Sequence, residues 1–153
     1  MTKILLRSFM NESAAFQRVV VAEPNQEVRD KLNKLFPFIH FEDSSVAASQ
    51  DIVFISLHPP VILDTLESVK NQFKAGSVVI SLAPKITIGK ISSKLVHVKN
   101  IARLIPNATS FINEGYNPVC FSLDFASKEK QNVLKLLTLR GNTFKVPEEK
   151  LES

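Results

Sequence analysis

Three stretches decide the fold: Asp51-Ile-Val-Phe-Ile-Ser-Leu-His-Pro-Pro60, Ser77-Val-Val-Ile-Ser-Leu-Ala-Pro84 and Ile101-Ala-Arg-Leu-Ile-Pro-Asn107. Each is a largely apolar run that ends in a polar, proline-marked corner. Runs of this kind are typical of strands buried on both faces, as in a parallel sheet covered by helices. Because ligands of such sheets bind beyond the carboxyl ends of the strands, we expect the functional site at these corners.

Helical and extended patterns alternate along the rest of the chain. Apolar residues recur at helical spacing over 2–10, 25–36, 62–73, 88–95 and from residue 127, and a brief helical turn is expected before Asp51. Apolar and β-branched runs predict further strands over 18–23, 38–41, 78–82, 101–105, 119–123 and 143–146. The alternation predicts a single α/β domain over residues 1–153, with a Rossmann-like, doubly wound, mainly parallel sheet and helices on both faces.

The composition indicates a soluble globular protein. Apolar residues make up 44% of the chain and charged residues 22%, and no apolar stretch is long enough to span a membrane. The net charge of +4 is mild and the lysines are scattered, so we expect neither a nucleic-acid nor a membrane partner. We expect a cytoplasmic protein without a metal site, in which the lone Cys120 is a buried thiol.

The glycine-rich loop that normally completes a dinucleotide site is not in this sequence. The four glycines, at 76, 89, 115 and 141, are too far apart to form a Gly-x-Gly-x-x-Gly turn. The chain also starts with a helical pattern, whereas a doubly wound sheet starts with a strand. The predicted sheet is therefore truncated at its N-terminal strand.

Short motifs follow one another in a defined order from the first residue to the tail. They are Met1 with Thr2-Lys-Ile-Leu-Leu-Arg7, Val21-Ala-Glu23, Asn25-Gln-Glu27, Leu57-His-Pro-Pro60, Ser81-Leu-Ala-Pro-Lys-Ile-Thr87, Arg103-Leu-Ile-Pro-Asn-Ala-Thr109 and Gly141-Asn-Thr-Phe-Lys-Val-Pro-Glu-Glu149. In this order and spacing the chain resembles the N-terminal domain of the pyrroline-5-carboxylate reductase family. Related dehydrogenases and deazaflavin-dependent reductases share much of this frame.

The resemblance implies an oxidoreductase that reduces an imino acid to proline with hydride from NAD or NADP. The chain departs from the family in lacking the first strand, the glycine loop and the helical dimerisation domain. His58 replaces a lysine, and Pro84-Lys85 replaces an Ala-Gly pair. These departures predict weakened or absent cofactor binding in an incomplete enzyme. The alternative is a non-catalytic interaction module that forms a homodimer through its open sheet edge.

The resemblance and the strand ends together select the candidate cofactor-binding residues Glu23, Ser56, Leu57, His58, Pro59, Ala83 and Asn107, and no catalytic residue. Glu23 would accept hydrogen bonds from ribose hydroxyls and repel a 2′-phosphate, which favours NAD, unless it is only a solvated strand-end acid. His58 either serves a phosphate, a ribose or a proton transfer, or is an exposed loop histidine. Asn107 either orients a nicotinamide or forms a turn. We expect Lys85 to be exposed and Arg103 to be paired.

Overall fold

Helices and strands alternate along the described part of the chain. The structure is a computed structural model that describes residues 2–11, 16–106, 115–138 and 141–152. The helices are α1 (Thr2–Asn11), α2 (Gln26–Leu35), α3 (Ser44–Ala48), α4 (Pro59–Val69), α5 (Ile88–Lys94) and α6 (Ser127–Thr138), with 3-10 turns at Lys70–Gln72 and Glu148–Lys150. The strands are β1 (Val19–Val21), β2 (Ile39–Phe41), β3 (Ile52–Ile55), β4 (Val78–Ser81), β5 (Asn100–Leu104), β6 (Gly115–Phe121) and β7 (Gly141–Lys145).

The described strands lie in two sheets. Strands β1 and β2 form a parallel pair, and the other five form a sheet in the order β3-β4-β5-β6-β7. Strands β3, β4 and β5 are parallel, whereas β6 runs antiparallel to β5 and parallel to β7. The predicted Rossmann-like, mainly parallel α/β fold is confirmed. The structure adds that the hydrogen-bonded sheet is divided between β1 and β3.

Helices cover both faces of the larger sheet, α4 and α5 on one side and α1 and α6 on the other. The buried side chains on the first face include Ile62, Leu66, Val79, Ile91 and Ile101. Those on the second face include Leu5, Phe9, Ile80, Leu104, Val133 and Leu137. Full burial of one such side chain stabilises a fold by about 1.5–3 kcal/mol. Because every residue of β4 and β5 is buried, these two strands form the centre of the hydrophobic core.

Helix α1 packs against both sheets. Its apolar residues recur three and four apart, which places them on adjoining parts of one helix surface. Leu6 packs on the smaller sheet and contacts the cluster around Phe36. Leu5 and Phe9 pack on the larger sheet, where the rings of Phe9 and Phe54 are 5.8 Å apart between centroids. One helix therefore holds the two sheets side by side although no described strand joins them.

Two predicted strands differ from what the structure shows. Strand β3 was expected to be buried on both faces, yet Ile52 is 37% exposed and Val53 and Phe54 are only half-buried. The physical reason is that the edge of β3 away from β4 borders an open cleft. Strand β6 begins at Gly115 rather than at residue 119, because its first residues pair with β7. The sequence does not predict this part of the strand, since Gly, Asn and Pro are unfavourable in strands.

The buried surface of α2 is also narrower than its pattern predicts. Leu32 and Phe36 are buried as expected, whereas Val28 and Leu35 lie partly in solvent at the margins of the helix face. Asn25 begins the helix by accepting a hydrogen bond from the Val28 N–H at its side-chain oxygen, 3.1 Å away. Helix α2 therefore covers the β1–β2 pair with a narrow stripe.

Cys120 is buried in β6, as its apolar surroundings predict. Burial raises the pKa of its thiol to about 11, so it stays protonated at neutral pH and is a poor nucleophile. None of the described helices combines the length and the hydropathy that a membrane crossing requires.

Candidate functional site

An open cleft of about 790 Å³ lies between β1 and β3. We call it the inter-sheet cleft: it is bordered by residues 19–23 on one side and 52–58 on the other. Thr2, Leu5, Leu6 and Phe9 of α1 line it as well. The cleft runs the length of both strands and includes the segments that follow their carboxyl ends, where ligands of parallel sheets bind.

Glu23 lies just beyond the carboxyl end of β1 and lines the inter-sheet cleft. Its Oε1 accepts a hydrogen bond from the backbone N–H of Asn25, 2.9 Å away. This bond fixes the carboxylate against the start of α2. A carboxylate has two oxygens that each accept more than one hydrogen bond, so the group keeps acceptor capacity toward the cleft.

Ser56, Leu57 and His58 follow the carboxyl end of β3 and line the same cleft. The Thr2 hydroxyl donates to the Ser56 hydroxyl oxygen over 2.9 Å, which ties the start of α1 to this corner. His58 precedes α4 as its N-cap residue without bonding the helix through its side chain, and Pro59 follows as the first helical residue. The amino ends of α1 and α4, each with a partial positive charge, therefore lie near Ser56.

Ala83 lies at the next corner, away from the lining of the inter-sheet cleft. It is buried after β4, where its N–H donates to the Ser81 hydroxyl oxygen at 3.3 Å and its carbonyl oxygen accepts from Arg103 at 3.3 Å. The structure thus brings Glu23, Ser56, Leu57 and His58 around one cleft and places Ala83 in a closed corner.

The tail closes the Ala83 corner through Arg103, whose side chain is 3% exposed. Its guanidinium donates to Oε1 of Glu148 at 3.0 Å and to Oε1 of Glu152. The same two carboxylates accept backbone N–H bonds, Glu148 from Ile88 at 2.7 Å and Glu152 from Lys85 at 2.8 Å. We call this set the tail clamp. The guanidinium of Arg103 is therefore neutralised by carboxylates of the same chain and is not free to bind a phosphate.

The clamp also holds a strained backbone. Lys85 has φ of 63°, in the left-handed region that costs a residue with a Cβ about 1–2 kcal/mol. Bonds from Arg103 and Lys85 lower the pKa of the Glu152 carboxyl, the Lys85 N–H bond being the largest cause, while burial acts against them. The exposed Lys85 and the paired Arg103 match what the sequence predicts, but the pairing residues Glu148 and Glu152 were missed. Their only sequence signal is the four-residue spacing of two acids after a proline.

Asn107 lies outside the described residues. The sequence gives no signal for the role of Thr2, because its hydroxyl bonds Ser56, 54 residues later in the chain. Among the described residues, no group of three His, Cys, Asp or Glu side chains is arranged to hold a metal ion.

Comparison with known proteins agrees with the fold and the corner motifs. The model of the family described as NADP oxidoreductase coenzyme F420-dependent matches residues 1–85. The pyrroline-5-carboxylate reductase of Corynebacterium melassecola is 25% identical over 135 residues, which cover 86% of this chain and 48% of that protein. This chain thus spans about half the length of the curated relatives that it matches.

Solved structures give the same result. The Plasmodium falciparum pyrroline carboxylate reductase with NADP bound has a TM-score of 0.79 at 19% identity, covering 95% of this chain and 53% of that one. The Coxiella burnetii pyrroline-5-carboxylate reductase has a TM-score of 0.84 at 19% identity, covering 97% and 56%. The resemblance to the N-terminal Rossmann domain of the pyrroline-5-carboxylate reductases is confirmed, and since the matched model spans more than half of the chain, the chain belongs to the family described as NADP oxidoreductase coenzyme F420-dependent.

Proposed function

We propose that this chain is the dinucleotide-binding part of an oxidoreductase of the pyrroline-5-carboxylate reductase type. The observation that carries the proposal is that Glu23, Ser56, Leu57 and His58 line one cleft at the carboxyl ends of β1 and β3. This is where parallel α/β sheets bind nucleotides, and both the family description and an NADP-bound structural neighbour name a nicotinamide cofactor.

The residues present fit a nucleotide ribose better than a phosphate. The Glu23 carboxylate, fixed by the Asn25 N–H, would accept hydrogen bonds from two ribose hydroxyls and repel a 2′-phosphate. The one arginine or lysine among the described residues that line the cleft, Arg18, lies just before β1, at its amino end, and pairs with Glu42 at 2.7 Å. We therefore propose a preference for NAD over NADP, with phosphate contacts left to backbone N–H groups at helix starts.

A reduced nicotinamide bound in this cleft would supply the hydride that, with a proton taken up at nitrogen, converts the C=N bond of an imine into a CH–NH bond. His58, exposed at the start of α4 beside the cleft, would contact the nicotinamide end of the cofactor as a hydrogen-bond donor. The imino-acid substrate and any partner subunit are inferred from the relatives named above, each about twice as long as this chain.

Thermal unfolding with NAD and with NADP tests the proposal, with Glu23→Gln as the decisive variant. At 100 times its dissociation constant a ligand stabilises the folded chain by about 2.7 kcal/mol. We expect NAD to stabilise the protein more than NADP, and Glu23→Gln to weaken NAD binding about tenfold, equivalent to about 1.4 kcal/mol. Glu27→Gln is the matched control, because Glu27 is exposed on α2 and pairs only with Lys31 among the bonds described.

Stabilisation by neither nucleotide at millimolar concentration would contradict the proposal. So would equal effects of Glu23→Gln and Glu27→Gln on NAD binding. The second candidate function, a non-catalytic module, is supported by one observation: β1 and β3 each have one edge without a strand partner among the described residues. It predicts no nucleotide response and self-association, which light scattering measures directly.

A further inference from the structure

The hydrogen-bond donors and acceptors of the tail clamp come from two different parts of the chain. The donors all belong to the body of the domain: two guanidinium nitrogens of Arg103 on β5, and the backbone N–H groups of Lys85 and Ile88 after β4. The acceptors, Glu148 and Glu152, both belong to the tail. The tail therefore uses two of its own side chains to occupy donors that the rest of the fold provides.

Each of the two carboxylates is held by the same kind of donor pair. Oε1 of Glu148 accepts from Arg103 Nη1 at 3.0 Å and from the Ile88 N–H at 2.7 Å. Oε1 of Glu152 accepts from Arg103 Nη2 and from the Lys85 N–H at 2.8 Å. We call the latter two donors the Glu152 seat. A charged donor beside a backbone donor suits an oxygen anion, because hydrogen bonds with a charged partner are stronger than neutral ones.

Arg103 carries its charge in a nearly closed environment. Its side chain is 3% exposed, and its Nε atom is buried without a hydrogen-bond partner among the described residues. A buried guanidinium that loses an anionic partner is destabilising, because water cannot fully replace that partner. When Glu152 is withdrawn, another anion in the Glu152 seat would therefore be stabilised.

The Glu152 seat can be reached from solvent. The Glu152 side chain is 33% exposed, and Lys85 is exposed as well. Leu151 is 3% exposed, so its buried side chain also anchors the tail. The Glu152 carboxylate can thus leave the seat by rotation of its side chain while the tail stays in place. The Lys85 N–H is the largest cause of the lowered pKa of the Glu152 carboxyl, so the seat favours the anionic form.

We propose that the Glu152 seat is a binding site for a small free carboxylate, in which Glu152 is the occupant that the chain itself supplies. The donors define this ligand class, because they hold one oxygen of a singly charged group, and the neighbouring Glu148 carboxylate repels a dianion such as phosphate. Movement of the tail that withdraws Glu152 would open the seat to such a ligand. This inference needs no nicotinamide cofactor and stands independently of the proposed function.

The test vacates the seat in the full chain with Glu152→Ala and supplies sodium acetate, which replaces the methylene-carboxylate group that the substitution removes. The Lys85 amide is followed by NMR titration at neutral pH, with sodium chloride keeping the ionic strength constant. Glu149→Ala is the matched control, since Glu149 is exposed in the same tail. Should Glu152→Ala fail to fold, Glu152→Gln is titrated in its place, since it removes the charge and keeps the shape.

We expect the Lys85 amide signal of Glu152→Ala to move saturably with acetate, and its midpoint of thermal unfolding to rise. In the parent and in Glu149→Ala, Glu152 competes for the seat at a high effective concentration, so the same shift should need about tenfold more acetate or beyond. The Val79 amide, in the buried strand β4, should respond in none of the variants.

An unchanged Lys85 amide in Glu152→Ala would overturn the proposal. An equally strong response in Glu149→Ala would do the same, because acetate would then bind somewhere other than the vacated seat. An equal response when inorganic phosphate replaces acetate would indicate a general anion effect and contradict the assigned ligand class. Since no nucleotide is present in this titration, its failure and a failure of NAD binding are separate results.

Discussion

Strands β1 and β3 contain only apolar residues, whereas β4 and β5 also contain Ser81, Asn100 and Arg103, yet only β4 and β5 are buried throughout. Every residue of β4 and β5 is buried, whereas β1 is half-buried throughout and β3 is buried only at Ile55. The difference lies in the neighbours and not in the strands. β4 has strands on both edges, while β1 and β3 each have one partner among the described residues. An apolar run therefore predicts a strand better than it predicts burial.

The two regions also differ at their carboxyl ends. The corner after β4 is closed by the tail clamp, in which Glu148 and Glu152 occupy the guanidinium of Arg103. The corners after β1 and β3 open into the inter-sheet cleft. The corner after β4 is thus closed by ion pairs within the chain, whereas the corners after β1 and β3 are open to a ligand. Function is expected in the open half, because its groups are not already neutralised by the chain itself.

The largest expected difference is in the free energy of unfolding and comes from an Ile→Ala substitution made once in each region. Ile80→Ala removes a fully buried side chain from β4 and should lower the free energy of unfolding by about 3 kcal/mol, since it leaves a cavity in a packed core. Ile52→Ala in the partly exposed β3 should cost less than about 1 kcal/mol. Urea unfolding of both variants measures the contrast. Equal costs would show that the cleft is closed in solution.

The tail clamp should contribute about 1 kcal/mol through Glu152, a small value because water screens this partly exposed carboxylate. Its folded-state pKa is lowered, so the stabilisation is present above the unfolded-state pKa and is lost as the pH falls. The stability difference between the parent and Glu152→Gln should therefore be present at neutral pH and shrink as the pH falls below the ordinary carboxyl range and through the lowered pKa of Glu152.

Unfolding measured in urea at several pH values tests this prediction. The control is Glu149→Gln, because Glu149 is exposed on the 3-10 turn that carries the clamp residue Glu148. A pH-independent difference for Glu152→Gln, or the same trend for Glu149→Gln, would contradict the role assigned to the clamp.

The smallest expected change in stability comes from Lys→Gly substitutions and has opposite signs at two lysines. Lys85→Gly should stabilise the protein by about 0.5–1 kcal/mol, because glycine adopts the positive φ of this corner without a Cβ clash. Lys90→Gly in α5 should destabilise it by about the same amount, since glycine costs helix stability. Thermal unfolding of the two variants measures both. Destabilisation by Lys85→Gly would show that the side chain matters more than the backbone strain.

Much of the fold follows from local sequence patterns, such as helix caps, that do not depend on the rest of the structure. The boundary of α2 follows from the Asn25 cap, and the start of α5 follows from Thr87, whose hydroxyl accepts from the Lys90 N–H. The sequence predicts β6 only from residue 119, because glycine, asparagine and proline disfavour a strand and it is pairing with β7 that holds residues 115–118 extended. Local propensity predicts elements well where the element is stabilised within itself.

The site was predicted less completely than the fold. The corner residues Glu23, Ser56, Leu57 and His58 follow from the rule that parallel strands present their carboxyl ends together, and the structure does place them around one cleft. Ala83 satisfies the same rule but is closed off by carboxylates more than 60 residues later in the chain. No local pattern carries that information.

The sequence by itself determined that this chain alternates strands and helices and that its central strands are largely apolar, and it predicts a site at their carboxyl ends. Hydrophobic periodicity and capping decide these features over a few neighbouring residues. Only the tertiary structure decided that β1 and β3 border an open cleft, and that Arg103 is neutralised by Glu148 and Glu152. Edge pairing and buried ion pairs join residues far apart in the chain, so they exist only once the sheets have packed.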